Sequence, residues 1–278
     1  MSNKFLILFV IFCFLGCAKV ETRTNNTFPN TSTEKIESVA KITNSAKVIH
    51  VLVALCDNVN QGIVPVPTFL GNGEDTERNL YWGAAYGVKS YFSKSQSWQK
   101  LATIANPKEN VLERVIFKNK TQNAYLIADA YRGSKMKETI HDFFSAITGE
   151  KLENVTVNNQ TIQTLGSANL VAFVGHDGLM DFKLEKEIVK KDEANRDAIV
   201  LACASRNYFG EHLKKTNAKP LLWTSNLMAP EAYILHDALE GWIRGETDEQ
   251  VQTRAATAYA KFQKISVKSA GKLLVTGW

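Results

Sequence analysis

Two apolar runs decide the fold of this chain: LVAFV followed by GHDG at residues 170–178, and AIVLA followed by CAS at residues 198–205. Each run is short, rich in aliphatic side chains and closed by turn residues, which is typical of a strand buried in a parallel sheet. In open α/β sheets, ligands bind beyond the carboxyl ends of the strands. His176 and Cys203 each follow one of these runs, so the sequence predicts that they meet in one cleft.

The rest of the chain alternates strand and helix patterns, which predicts a single α/β domain with a mostly parallel sheet and helices on both faces. The helix at 136–147, for example, places Ile140, Phe143, Phe144 and Ile147 on one face. The other predicted strands lie at 48–55, 115–117, 124–128, 220–223 and 272–275. The other predicted helices lie at 80–92, from near Pro230 to Gly245, and at 248–262, with room for a short crossover helix within 183–195, and a hairpin is predicted around Asn158-Asn159.

The N-terminus has the pattern of a targeting segment, with Lys4 followed by an apolar stretch too short to span a bilayer. Its end, Phe14-Leu15-Gly16-Cys17, resembles the lipobox of bacterial lipoproteins, which implies a palmitate-type lipid on Cys17. The alternative is an ordinary secretory signal with a chance cysteine. We therefore expect a signal peptide at 1–17, a polar flexible tether at 18–46 and the α/β domain at 47–278. Ala18 favours the outer membrane of a bacterial envelope by the same resemblance.

Charge and composition narrow the classes of partner. The formal net charge is +5, but basic and acidic residues are interleaved, as in the stretch 183–193. Such mixed runs are typical of solvated surfaces, so we expect no nucleic-acid partner. No motif indicates a cofactor or a metal ion, since Gly71-Asn72-Gly73 lacks the strand and the Lys-Ser/Thr of a phosphate loop.

A cysteine and a histidine in one cleft can form a hydrolytic pair. The histidine takes the thiol proton, the thiolate attacks a carbonyl, and the histidine then protonates the leaving amine. The oxyanion needs backbone N–H donors, for which Gly178 and the Cys203 amide are candidates.

Two segments resemble the signature of the caspase-like cysteine peptidases, namely Val174-Gly175-His176-Asp177-Gly178 and Leu201-Ala202-Cys203-Ala204-Ser205. This group includes caspases, legumains, clostripain, gingipains and separases. The resemblance covers most of 48–243 and implies an endopeptidase with Cys203 as nucleophile and His176 as general acid and base. Its partner would be a peptide or protein substrate. The family places Gly directly after His, whereas Asp177 intervenes here. Asp177 is expected to orient His176, to alter specificity, or to mark a chain that lost the activity.

Further polar residues follow the predicted strands and are candidates for a substrate pocket. They are Asp57, Asp129, Ser205, Thr224, Ser225 and Asn226. Asp57 and Asp129 would select Arg or Lys side chains, although carboxylates at strand ends cap helices equally often.

Two competing interpretations remain open. Outside the cytoplasm, Cys56 and Cys203 could pair as a disulfide, although a caspase-like strand order would separate them by two strand spacings, roughly 10 Å. That distance exceeds the limit of about 7 Å for a disulfide. The other interpretation is a non-catalytic binding or surface-interaction module that uses the same cleft.

Overall fold

The two decisive runs form neighbouring strands at the centre of one large sheet. The computed structural model describes residues 41–42 and 46–278, and elements are numbered along the chain. The strands are β1 (Lys41–Ile42), β2 (Lys47–Ala54), β3 (Trp98–Lys108), β4 (Val111–Asn119), β5 (Ala124–Tyr131), β6 (Leu152–Val157), β7 (Gln160–Leu165), β8 (Leu170–Val174), β9 (Asp197–Leu201), β10 (Lys219–Thr224) and β11 (Leu274–Val275). The α-helices are α1 (Val88–Ser93), α2 (Met136–Ile147), α3 (Ser205–Leu213), α4 (Ala232–Ile243), α5 (Asp248–Gln263) and α6 (Val267–Leu273), with 3-10 turns at Gly133–Lys135 and Gly178–Met180.

The order of the strands confirms the predicted fold class. The main sheet has eight strands in the order β11-β10-β9-β8-β2-β5-β4-β3. The five strands from β10 to β5 are parallel, whereas β11, β4 and β3 pair antiparallel at the edges. The strand β2 adjoins the His strand β8, and the Cys strand β9 lies one further on, which is consistent with a caspase-like fold.

Helices cover both faces of the sheet because side chains along each strand alternate between them. In β2, Ile49, Val51 and Val53 contribute to a core that also contains residues of α4 and α5. Val48 and Leu52 point to the opposite face, where the core contains residues of α2 and α3. The sheet is therefore buried between two layers.

A second, three-stranded sheet contains the predicted hairpin. The strands β6 and β7 are antiparallel and β1 pairs parallel with β7. Asn158 and Asn159 both have a positive φ, of 49° and 59°. Asparagine tolerates this conformation, and the favoured two-residue hairpin turn requires it.

The two predicted helices at 80–92 and 183–195 were wrong over most of their length. Only Val88–Ser93 of the first is helical, because the chain packs back on itself at Gly83 and Gly87, where a Cβ would collide with the main chain of Glu77 and Trp82. No helix forms between 183 and 195. This crossover is irregular, and the Arg196 guanidinium holds its end by donating to the Gly166 carbonyl and to Asp192.

Three of the predicted strands differ from the prediction, and one further strand of the main sheet was not predicted. The predicted strand at 115–117 is part of the nine-residue β4, which pairs with the unpredicted β3. The strand β5 continues to Tyr131, so Asp129 lies inside it instead of after it. The final strand is confined to Leu274–Val275 because α6 occupies the residues before it.

The predicted signal peptide and the lipidation site at Cys17 lie outside the described residues. Among the residues that the structure describes, no helix has both the length and the apolar character needed to cross a bilayer.

Candidate active site

His176 and Cys203 follow adjacent parallel strands at the same edge of the sheet. The last paired residues of β8 and β9 are Val174 and Leu201, and the Gly175 amide continues the ladder by donating to the Leu201 carbonyl at 3.2 Å. Each of the two residues lies two positions beyond this last pair. The register therefore brings them side by side, although no hydrogen bond joins them within the described part of the chain.

A sharp turn presents the Cys203 thiol. Ala204 has a φ of 49°, in the left-handed region, and its amide donates to the Asn226 carbonyl at 2.9 Å. A non-glycine residue in this conformation costs on the order of 1 kcal/mol and persists only where its surroundings impose it. The helix α3 begins at the next residue, so the amino end of a nine-residue helix lies beside the thiol.

The side chains of Ser205 and Thr224 hold this turn in place through hydrogen bonds. Both side chains are buried. The Ser205 hydroxyl donates to the Val200 carbonyl at 2.9 Å, and the Ser205 amide donates to Thr224 Oγ1 at 3.1 Å. Thr224 in turn donates to the Ala202 carbonyl. These contacts tie the ends of β9 and β10 together directly under Cys203.

The Cys203 thiol is partly exposed and lies against main chain. Its Sγ accepts from the Met228 amide at 3.4 Å and lies 3.5 Å from the Met228 carbonyl. The phenols of Tyr81 and Tyr259 are also near. Burial chiefly raises the pKa of both, and the negative charge on ionised Cys203 adds to it.

Both described cysteines are free, so the structure does not contain the alternative disulfide. Cys56 is fully buried after β2. Burial raises the pKa of its thiol to about 11, which makes it an unreactive group at neutral pH.

The His176 ring is held by an aspartate that the sequence did not single out. Its Nε2 lies 2.6 Å from Oδ2 of Asp181, while its Nδ1 has no hydrogen-bond partner among the described residues. Asp181 ends the 3-10 turn that follows His176, and its amide donates to the Gly178 carbonyl at 2.9 Å. The sequence did contain a signal for this contact. Asp181 stands five positions after His176, and its side chain reaches the imidazole once residues 177–180 form a tight turn.

Asp177 and Gly178, the candidates for orienting and oxyanion roles, make other contacts. Asp177 Oδ1 accepts from the Leu179 amide at 3.0 Å, and its buried Oδ2 has no partner in the described chain. Burial raises the pKa of this carboxyl to about 7. The Gly178 amide donates to the His176 carbonyl at 3.1 Å, and a Cβ at Gly178 would lie 2.5 Å from Met136 Cγ. The Cys203 amide, by contrast, has no acceptor within the described residues.

The two carboxylates considered for a basic-residue pocket are occupied elsewhere. Asp57 Oδ1 accepts from the amides of Val59 and Asn60 and thereby caps the loop after β2. Asp129 is buried inside β5, where Arg114 donates to both of its oxygens. Burial opposes ionisation of Asp129, but the hydrogen bonds from Arg114 and His50 hold its pKa well below the usual range.

Ser225 and Asn226 do lie beside the candidate site. They line an open pocket of about 480 Å³ between the end of β10 and α6, together with Leu227, Ser269, Lys272 and Leu273. The Asn226 carbonyl accepts from the amide after Cys203, so this pocket borders the turn that carries the thiol.

The protein class defined by this fold and site is an α/β domain with a histidine and a free cysteine at adjacent strand ends. Comparison of the chain with protein-family models, with curated proteins and with solved structures finds no match.

Proposed function

We propose that the chain is a cysteine peptidase of the caspase-like type, with Cys203 as nucleophile and His176 as general acid and base. The observation that carries the proposal is the placement of a partly exposed, free thiol and a buried imidazole beyond the paired ends of β8 and β9. The contact from Asp181 to Nε2 supports it, because it leaves one ring nitrogen available for a proton. The segment ending at Cys17 supports a lipid anchor on the bacterial cell envelope, with the outer membrane as the favoured location.

The reaction uses two groups that follow adjacent strand ends in the same register. His176 Nδ1 takes the proton of Cys203, and the sulfur forms a bond to the carbonyl carbon of a peptide as the carbonyl electron pair moves onto oxygen. The Cys203 amide can donate to that oxyanion. When the C–N bond breaks, the imidazolium gives its proton to the leaving amine. Water then hydrolyses the thioester, which releases the carboxylic acid and restores the thiol.

Two groups that can interact favourably with an anion lie beside the Cys203 sulfur. The amino end of α3 lies one residue away, and partial positive charge at a helix N-terminus stabilises an anion. The Met228 amide points at the same sulfur. Cys56 differs from Cys203, because it is fully buried and burial raises the pKa of its thiol.

The decisive experiment measures the alkylation rate of Cys203 against pH in the full chain, with each cysteine followed separately by mass spectrometry. Wild type is compared with His176→Ala and with Cys56→Ser as the matched control. Fast alkylation of Cys203 below pH 7 that is lost only in His176→Ala supports a working pair. A rate that does not depend on His176 would overturn the proposal and leave a binding module that uses the same cleft.

Activity is then tested with a mixed peptide library whose cleavage products are identified by mass spectrometry. Cleavage is expected to fall by a factor of about 10² to 10⁴ in His176→Ala, the usual contribution of general acid and base catalysis. Cys203→Ser is expected to be inactive, while Cys56→Ser cleaves like wild type. Cleavage that persists in Cys203→Ser would contradict the assignment of the nucleophile.

A further inference from the structure

We infer that Asp181 is the positioning residue of the site and selects the His176 tautomer in which Nδ1 is the proton acceptor. This inference rests on the proposed function and extends it from a pair to three residues. Asp181 does not touch the substrate in this assignment. It acts only through the imidazole of His176. The distance from Asp181 Oδ2 to His176 Nε2 is 2.6 Å.

The carboxylate of Asp181 determines which ring nitrogen carries the proton. A neutral imidazole has one N–H donor and one acceptor nitrogen, and a carboxylate accepts hydrogen bonds but does not donate them. Nε2 must therefore be the protonated nitrogen when it faces Asp181. The lone pair is left on Nδ1, which has no partner in the described part of the chain and is free to receive the Cys203 proton.

The turn after His176 fixes the position of this carboxylate. The Asp177 side chain caps the turn through the Leu179 amide, and the amides of Met180 and Asp181 donate to the carbonyls of Asp177 and Gly178 at 3.1 and 2.9 Å. Asp177, which separates this chain from the caspase-like signature, therefore helps to build the turn together with Gly178. The inserted aspartate brings Asp181 back to the histidine.

Gly62, in the loop after β2, packs against the other side of Asp181. A Cβ at Gly62 would lie 2.7 Å from Asp181 Oδ1 and 3.2 Å from its Cγ. The absence of a side chain at this position leaves room for the carboxylate to reach Nε2. The position of Asp181 is thus set both by its own turn and by a neighbouring loop.

The test compares variants of Asp181 with a matched aspartate elsewhere. Asp237 also contacts a histidine, with its Oδ1 2.8 Å from Nδ1 of His236, and its side chain is 42% exposed, like that of Asp181. The variants Asp181→Ala, Asp181→Asn and Gly62→Ala are compared with Asp237→Asn. Two quantities are measured in the full chain: the pH profile of Cys203 alkylation, and the ¹⁵N chemical shifts of the imidazoles. The His176 signals are assigned by their loss in His176→Ala.

Wild-type His176 is expected to show a protonated Nε2 and an unprotonated Nδ1 above its titration. Asp181→Ala is expected to mix the tautomers and to slow alkylation of Cys203 at pH 6.5 by tenfold or more. Asp181→Asn is expected to have the same two effects, because the new side-chain amide can donate to Nε2. Gly62→Ala is expected to have a smaller effect of the same sign. Asp237→Asn leaves both quantities at the wild-type value.

Two failures are distinguishable. If His176→Ala slows alkylation but the Asp181 variants retain the wild-type tautomer and pH profile, the positioning role of Asp181 is overturned and the Cys–His pair stands. If His176→Ala itself has no effect on Cys203, the proposed function fails, and the assignment of Asp181 fails with it.

Discussion

Two histidine–aspartate pairs in this molecule have opposite surroundings. His50 is fully buried, with Nε2 3.2 Å from Asp129 Oδ2 and Nδ1 2.7 Å from Thr164 Oγ1. His176 also bonds an aspartate through Nε2, but its Nδ1 has no partner among the described residues, and a free thiol follows the adjacent strand. A histidine with both nitrogens occupied contributes to stability, whereas one with a single nitrogen occupied can exchange a proton.

The aspartates of the two pairs differ in the same way. Asp129 lies in a buried ionic cluster, defined here as His50, Lys108, Arg114, Asp129 and Glu153, in which Arg114 bonds both carboxylates. Asp181 forms no ion pair with a lysine or arginine among the described residues, and 42% of its side chain is exposed. The charge of Asp129 is thus compensated within the ionic cluster. The carboxylate of Asp181, by contrast, remains available to interact with His176.

The largest effect is expected for Arg114→Met, which removes the central cation of the ionic cluster. Asp129 and Glu153 lose the hydrogen bonds that Arg114 donates, and breaking a buried ion pair from one side costs about 3–5 kcal/mol. The free energy of unfolding is measured by urea denaturation. The matched control is Arg244→Met, whose exposed contact with Glu240 is worth at most about 0.5 kcal/mol. A loss below about 1 kcal/mol in Arg114→Met would show that the cluster is not a stabilising unit.

The two thiols give the next comparison. Because burial raises the pKa of Cys56 to about 11, its thiolate fraction at pH 7.5 is expected to be about 300-fold below that of an ordinary thiol. Cys56 should therefore be alkylated at least about 300-fold more slowly than a free cysteine, while Cys203 in the same molecule reacts readily. Peptide-level mass spectrometry measures both rates. Equal rates for the two residues would remove the distinction between a core cysteine and a site cysteine.

Asp177→Asn tests the carboxyl that separates His176 from Gly178. The pKa of Asp177 is about 7 in the folded protein and about 3.9 in the unfolded chain, so the native state binds more protons between these values. The stability associated with this proton is present below the unfolded value and is lost as the pH rises through the folded value. Relative to wild type, Asp177→Asn should gain about 2.6 kcal/mol of stability between pH 5 and pH 8.

Urea denaturation of both proteins at the two pH values measures this gain. The comparison with wild type cancels the titration of the other groups. A constant difference across the pH range would mean that Asp177 is already ionised in the folded protein at pH 5.

The smallest effect is expected for Thr164→Val, which leaves Nδ1 of His50 unpaired in the core. Loss of a buried hydrogen bond costs about 1–2 kcal/mol in unfolding free energy. Thr156→Val, on the exposed side of the same hairpin, serves as the control and should be near neutral. If both variants have the same free energy of unfolding, the contact between His50 Nδ1 and Thr164 does not contribute to stability. His50 and His176 would then differ only in how deeply they are buried.

The parts of the fold with strong local patterns could be predicted from the sequence. The strands β8 and β9 are continuous apolar runs, α2 matches its predicted bounds of Met136–Ile147, and the Asn158-Asn159 turn matches its hairpin. In contrast, β3 is an edge strand that pairs with β4, and its side chains show no regular alternation of burial from which a strand could be predicted. The charged stretch 183–195 has helical composition, but it is irregular in the structure.

In the candidate site, the positions of His176 and Cys203 could be predicted from the sequence, but the contact of Asp181 could not. The strand ends carrying His176 and Cys203 follow from the apolar runs and the rule for parallel sheets. The role of Asp181 depends on a short turn whose geometry is set by the buried Asp177 and by Met136, which packs where a side chain at Gly178 would be. Such contacts between distant elements leave no periodic trace in a sequence. For the same reason, Asp129 could not be recognised as the partner of Arg114.

The irregular crossover between β8 and β9 has a consequence for the integrity of the site. It is the only covalent path between the segment with His176 and the segment with Cys203, and it exposes Lys183, Lys186 and Lys191 without helical protection. What holds the two segments in place is the ladder from Leu170 to Val174 along β9, with the buried cores on both faces. A cut in this stretch would divide the molecule into two chains that share one folded body, with His176 on one chain and Cys203 on the other.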